Sequence, residues 1–366
     1  MDENYQDGIT RDQPVSTETK EETDKKCPAC GGVLDFNPTK GKMVCPYCDS
    51  EYEIEVENPD FEAEELDFES AENSACYDWK LETKSVVCKS CGAETIYEAH
   101  EIANECPYCG SNQVMEAGAE HIMAPGGVVV FKLDANKASE LFQSWIKHKF
   151  FCPKLAKESA KPKAFKGLYL PFWTFDCKTI SSYTGQYGVK KRTAGNNSDI
   201  KWYKTMGIYK HNFDDVLICG SKKQNTSMLN GLEPFNTKDV VEYKPEYLAG
   251  FMAERYTLKM HDAWERAKNK MSQILHQRIK DEIRREHRTD YVRGVLHSTT
   301  HQNITYKYLL LPVWTSSFTY NGKIYQFMVN GQTGKVSGKT PISWVKVAFT
   351  VVAIIAIMTL LNFISG

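Results

Sequence analysis

Read along the chain, the apolar positions change character three times. The first 26 residues contain no apolar run, so they predict neither strand nor helix, and no secretory leader. Between Cys27 and Cys109 short apolar clusters alternate with cysteine pairs and glycines. Here Val33 to Phe36 and Lys42 to Val44 read as strands around the turn Asn37-Pro38-Thr39-Lys40-Gly41. After His121 the pattern lengthens. Val128 to Leu133 reads as a strand, and Asp134 stands where it caps a helix with Ala138, Leu141, Phe142, Trp145 and Ile146 on one side. From Ala263 to Arg288 the residues Trp264, Ala267, Met271, Ile274, Leu275, Ile279 and Ile283 recur at helical spacing. That helix is expected to cover a sheet; a two-stranded coiled contact is the other arrangement its pattern allows. Lys323 to Val329 and Lys335 to Ser337 predict a hairpin turning at Asn330-Gly331.

The last change is the sharpest. Val347 to Ile364 is 18 residues long, carries no charge, and has only Thr350, Thr359 and Asn362 as polar side chains. A helix of that length covers about 27 Å, close to the hydrocarbon thickness of a bilayer. Trp344 and Lys346 stand where interfacial anchors belong. Lys335, Lys339 and Lys346 precede the segment and only Ser365 and Gly366 follow it. The positive-inside bias therefore places the rest of the chain in the cytoplasm, tail-anchored at the cell membrane.

With that placement, the twelve cysteines belong to a reducing compartment. Eight form a repeat. Cys27 and Cys30 are followed after 14 residues by Cys45 and Cys48, and Cys88 and Cys91 after 14 residues by Cys106 and Cys109, an offset of 61 throughout. Two thiolates separated by two residues grip one ion from a single turn, and a hairpin brings the second pair opposite to complete a tetrahedral sulfur site. Two structural zinc sites are expected; iron fits the same ligands. Gly31, Gly32, Gly92 and Gly110 follow the knuckles, where a positive φ is often needed. With four protein ligands neither site keeps a position open for catalysis. Segments this short have little core, so the metal is expected to supply their folding energy, and loss of a cysteine pair to unfold the ribbon.

Charge refines this. The net charge of −2 conceals 23 acidic against 7 basic residues over positions 1 to 82, and 38 basic against 24 acidic residues beyond. The second cysteine segment holds Glu94, Glu98, Glu101 and Glu105 against one lysine, which disfavours a phosphate backbone as ligand. The basic remainder is suited to anionic lipid or to the acidic segment itself. Between the ribbons, Glu51 to Glu72 mixes acids with Ile54, Val56, Phe61, Leu66 and Phe68. It reads either as a flexible arm that docks on a basic partner or as a plain solvated linker.

No catalytic constellation emerges. Gly331 to Thr340 fails as a phosphate-binding loop on spacing, and Pro341 prevents a following helix. His297 and His301 lie in a strand pattern, and Cys76, Cys152, Cys177 and Cys219 have no paired spacing and read as packed or incidental thiols. A pattern Leu-Pro-x-Trp-Thr occurs at Leu170 to Thr174 and again at Leu311 to Thr315, which suggests a duplicated β unit whose Trp173 and Trp314 fill a core rather than bind a ligand.

The paired ribbons, the segments LYLPFWTFDC, YLAGFMAERY, LLLPVWT and VNGQTGKVSGKTP, and the terminal apolar run together resemble a family of bacterial tail-anchored zinc-ribbon membrane proteins, the YdjG-like proteins. The resemblance implies encoding beside a phage-shock-protein-A homologue and an SPFH-domain protein, and a role in docking such coats on the membrane during envelope stress. Members are often labelled as primosomal helicase-like. A motor would need nucleotide-binding loops that this sequence lacks.

The expected architecture is multidomain: a disordered acidic N-terminus (1–26), zinc ribbon 1 (27–52), an acidic linker (53–83), zinc ribbon 2 (84–118), a central α+β domain with duplicated β units (119–343) and one transmembrane helix (344–364). The expected function is that of a non-enzymatic membrane scaffold whose ribbons recruit cytosolic proteins, with no nucleic acid and no small-molecule substrate. The alternatives are a nucleic-acid-associated replication factor without helicase activity of its own, and a lipid or small-ligand sensor in the β body.

Overall fold

The computed structural model describes residues 26–56, 58, 60–70, 83–88, 94–98, 114–116, 123, 125–160, 162, 165–192, 198–222 and 226–365. The acidic N-terminus before Lys26 and most of the segment read as ribbon 2 lie outside the described residues. The first ribbon is a small antiparallel sheet of β1 (Asp35–Asn37), β2 (Lys42–Val44) and β3 (Glu51–Tyr52). The Asn37 side chain holds its turn by accepting from the Thr39 and Lys40 N–H groups, and Gly41 supplies a φ of +67.

The remaining twelve described strands join in one sheet: β4 (Leu66–Asp67), β5 (Thr83–Cys88), β6 (Glu94–Glu98), β7 (Val114–Glu116), β8 (Gly127–Val129), β9 (Lys166–Arg192), β10 (Ser198–Cys219), β11 (Val240–Val241), β12 (Met252–Ala253), β13 (Tyr291–Tyr320), β14 (Lys323–Asn330) and β15 (Val336–Gly338). The helices are α1 (Ala135–Lys147), α2 (Lys154–Ser159), α3 (Thr226–Asn230), α4 (Met260–His287) and α5 (Trp344–Ser365). The centre of the sheet is the antiparallel pair β9 and β13, 27 and 30 residues long.

The two Leu-Pro-x-Trp-Thr segments lie on these central strands, with Leu170 opposite Leu311. Each proline carbonyl accepts the N–H of the glycine that ends the next strand: Gly220 to Pro171 at 2.7 Å and Gly331 to Pro312 at 2.9 Å. In an antiparallel ladder the bond would be returned by the proline N–H, which does not exist. The freed glycine carbonyl takes another partner. Gly220 accepts from Thr257 and Leu258, and Gly331 from Lys132 and Leu133. Two residues after each proline, the tryptophan indole donates to the same leucine: Trp173 to the Leu258 carbonyl at 2.9 Å, Trp314 to the Leu133 carbonyl at 2.8 Å. Each leucine stands two residues before a helix, Leu133 before α1 and Leu258 before α4. The parallel pairs β12 with β9 and β8 with β13 repeat the same relation. Both tryptophans are buried.

Asp134 accepts from the Lys137 N–H and caps α1, which packs Phe142 flat on Phe327 at 3.6 Å between ring centroids. Leu141 and Trp145, on the same side, are only partly buried. Helix α4 buries Trp264, Ala267, Met271, Leu275, Ile279 and Ile283 and covers the sheet. It ends on Arg288 at φ +47, with His287 stacked on Tyr187. Asn330 and Gly331 turn as the pattern predicts. The Asn330 side chain accepts from Gln332 and Thr333, and Gly334 takes φ +77.

The reading of the acidic segment as a flexible arm or solvated linker is corrected over its described part. Leu66 and Asp67 pair with Tyr306 and Thr305, and the Phe68 N–H donates to Ile304. The Phe68 ring sits among Phe175, His261, Trp264 and Tyr306. Burial of apolar side chains against the body outweighs the polarity of the acids between them. Helix α5 is long and apolar enough to cross a membrane, and no residue from Trp344 to Asn362 is buried.

Candidate metal centre

The first ribbon is built from two knuckles with the same backbone wiring. At Cys27 the N–H donates to Gly32 and the carbonyl accepts from Gly31; at Cys45 the N–H donates to Ser50 and the carbonyl accepts from Asp49. The turn needs a left-handed residue four positions after the first cysteine. Gly31 provides it at φ +75 and Asp49 at φ +58. Gly32 serves a different end, since a Cβ there would stand 2.5 Å from the Tyr47 ring.

These turns bring Cys27, Cys30, Cys45 and Cys48 together, with all four sulfurs within 4.8 Å of one another. The Sγ atoms of Cys27 and Cys48 are 3.5 Å apart and those of Cys30 and Cys45 3.4 Å, far beyond a disulfide bond. A tetrahedron of sulfurs about 2.3 Å from zinc has edges of about 3.8 Å, so the set matches a four-thiolate site. The Tyr52 hydroxyl, 3.4 Å from Cys27 Sγ, pulls that thiol down to about 6. The Ser50 hydroxyl lowers Cys48 in the same way. At Cys30 the Gly32 backbone bond pulls down, but bonds with Cys48 and Cys45 outweigh it and push the thiol up to about 12. Protons are thus shared unequally, and a bound cation is what lets all four sulfurs ionise together.

The ribbon is not an isolated bead. Phe36 packs edge-on against Tyr247 at 5.6 Å, its N–H donates to Ala249, and Lys244 donates to the Glu55 carbonyl. Leu34, Phe36, Met43 and Cys45 join the core of the sheet body.

Of the second cysteine set, Cys91, Cys106 and Cys109 lie outside the described residues, and for Cys88 only the backbone, at the end of β5, is described. The backbone there repeats one feature of the first ribbon. The bridge Lys26 to Val33 recurs 61 residues on as the pair Val87 to Glu94, and β6 joins the sheet through Ile96 opposite Ala253.

Cys152 and Cys177 are buried and Cys219 is partly buried, each as a free thiol. His297 and His301 lie in β13, as their neighbours predict. A cavity of about 360 Å³ beside α4 is lined by His211, Phe213, Asp215, Glu233, Lys270 and Arg278 among others, a lining that is charged along much of its length.

One cluster escapes the sequence reading. A bulge between Phe213 and Val216 turns Asp214 and Asp215 toward Asp176, and the three carboxylates come within 4.8 Å of one another. The Lys307 ammonium fills the position of a cation, 3.1 Å from Asp215, 3.8 Å from Asp176 and 3.4 Å from Glu65. Burial raises Asp176 to about 7. Burial would lower Lys307, but the carboxylates around it hold it above its ordinary value. The Asp214-Asp215 pair, two acids in succession within a strand pattern, is the signal that would have marked the bulge.

The sequence is similar to the uncharacterized protein YdjG of Bacillus subtilis (strain 168), 28% identical over 329 residues that cover 88% of this chain and 91% of the relative. That similarity fits a YdjG-like family. No family model matches the chain, and no solved structure matches it.

Proposed function

We propose that the protein is a non-enzymatic, tail-anchored membrane scaffold whose zinc ribbons present a surface to a cytosolic protein, with α5 as the anchor. The observation that carries this reading is the closed cysteine set on a ribbon fixed to the body, in a chain whose last helix is unburied and carries a long run of mostly apolar side chains. Four thiolates leave zinc no open coordination position, so the metal shapes a surface rather than a reaction. On that surface Tyr47 is 77% exposed between Cys45 and Cys48, and Tyr108 occupies the same position in the second cysteine set. Exposed aromatic side chains on a rigid turn suit protein recognition. We further read the sheet body as two copies of one unit, each gripping the other through its tryptophan, and the second cysteine set as a second zinc ribbon.

The resemblance nominates a phage-shock-protein-A homologue and an SPFH-domain protein as partners, in an envelope-stress response. The test is copurification of either from gently solubilised membranes with the tagged full-length chain, with and without nuclease, against the variant Tyr47→Ser. This variant leaves the four sulfurs in place. Nuclease-resistant capture that falls several-fold in the variant is the expected result. Capture of replication proteins that vanishes with nuclease would replace this reading with the nucleic-acid one.

A further inference from the structure

The loop joining α1 to α2 and the first turn of α2 carry apolar side chains that the body leaves in the open: Phe150 is 66% exposed, Leu155, in α2, is 70% exposed, and Phe151 is exposed as well. Phe150 and Phe151 pack edge to face on one another, 5.2 Å between centroids, and the Lys346 ammonium stands 5.8 Å from the Phe150 ring. This loop is bonded to the first turn of α5. The Ser343 N–H donates to the Phe151 carbonyl at 2.8 Å, and the Lys346 ammonium donates to the Phe150 and Cys152 carbonyls at 3.0 and 2.8 Å. Trp344, in the same turn, is 76% exposed.

If α5 spans a bilayer, its first turn lies at the membrane–water interface, and whatever is bonded to that turn lies there too. The loop has the side chains for that level. In sequence the phenylalanines are flanked by Lys147, Lys149, Lys154 and Lys157, of which Lys157 donates to the Lys147 carbonyl and Lys154 lies 3.8 Å from Glu158, the single acid between Lys147 and Ala160. Lysines beside partly inserted aromatics are what an anionic headgroup layer selects.

We propose that this corner, formed by the end of α1, the loop to α2, α2 itself and the start of α5, is a lipid-binding surface. It lays Phe150, Phe151 and Leu155 into the bilayer interface beside the anchor, with Lys149 and Lys154 at the level of the phosphates. The body is then held against the membrane in one orientation rather than swinging on a tether. The proposal rests on the reading of α5 as the anchor.

The test places the photoreactive residue p-benzoylphenylalanine at Phe150, Leu155, Val352 or Met206, one at a time, in the full-length chain reconstituted into vesicles of phosphatidylglycerol and phosphatidylethanolamine. Val352 reports on α5; Met206, exposed on the β10 strand, is the reference. Lipid adducts are counted by mass spectrometry after irradiation. The expected result is adduct at Phe150 and Leu155 several-fold above Met206, reduced several-fold at Leu155 by Lys149→Glu with Lys154→Glu. Adduct at Val352 with Phe150 and Leu155 no higher than Met206 overturns the surface and keeps the anchor. Little adduct at Val352 overturns the anchor, and with it the surface that rests on it.

Discussion

Two regions of this molecule gather side chains that can carry negative charge, and they differ in what can balance it. In the ribbon, Cys27, Cys30, Cys45 and Cys48 converge in a set that could hold a metal ion taken from solution. In the body, Glu65, Asp176 and Asp215 converge on Lys307, so the cation is part of the chain. Soft thiolates at a tetrahedral spacing select a transition metal that a lysine cannot imitate, whereas carboxylates are satisfied by an ammonium. If the first set holds a metal, its fold depends on that ion; the second needs none, at the cost of desolvating charges. The ribbon reduces its dependence by sharing the body's core through Phe36 and Met43.

Metal removal separates the regions most strongly. Structural zinc contributes about 10–16 kcal/mol in isolated zinc-finger peptides. Chelation is therefore expected to expose the amides of β1 to β3 to hydrogen exchange while those of β9 and β13 stay protected. Equal loss in both would show that the ribbon's packing on the body makes them one folding unit. Lys307→Met is the corresponding change in the body. It leaves the half-buried Asp176 and Asp215 and the exposed Glu65 without their cation, and a loss of about 1–3 kcal/mol in denaturant unfolding, less than a fully buried pair would lose, is expected. Recovery on adding calcium would show that the carboxylates form a cation site which the lysine otherwise fills.

The smallest effect is a slope. Asp176 sits near 7 in the folded chain because burial disfavours its charge, against about 4 for an ordinary carboxyl. The folded state therefore holds this proton more tightly, and the group's contribution to stability falls as pH rises between about 4 and 7. Asp176→Asn removes that slope, so its stability relative to the parent should rise over the same interval and level off above it. A pH-independent difference would show that Asp176 titrates alike in the folded and unfolded chains, with no shift from burial.

Much of the local structure was legible because it depends on neighbours in sequence. Asp134 caps α1 because its carboxylate reaches the Lys137 N–H three residues on. The 3.6-residue spacing of Trp264 to Ile283 gave the covered face of α4, and Asn330-Gly331 gave a hairpin. The convergence of Cys27, Cys30, Cys45 and Cys48 follows from two short turns and one hairpin. The acidic segment was misread because Phe61, Leu66 and Phe68 are too sparse to show a period, and their partners lie far along the chain: Phe68 meets Tyr306. The carboxylate cluster escaped for the same reason, since Asp176, Asp215 and Lys307 come from three different strands.

The sequence by itself determined the thiol set, the caps and turns, the covered face of α4 and an apolar terminal helix, each a matter of spacing within a few residues or of one continuous run. Only the tertiary structure decided what the repeated Leu-Pro-x-Trp-Thr segments do. A proline cannot return its neighbour's hydrogen bond, the glycine carbonyl left open takes a segment from elsewhere in the chain, and the tryptophan closes on that same segment. The motif is local, but the partner that satisfies it is distant, and a buried carbonyl must be satisfied wherever the chain can reach it.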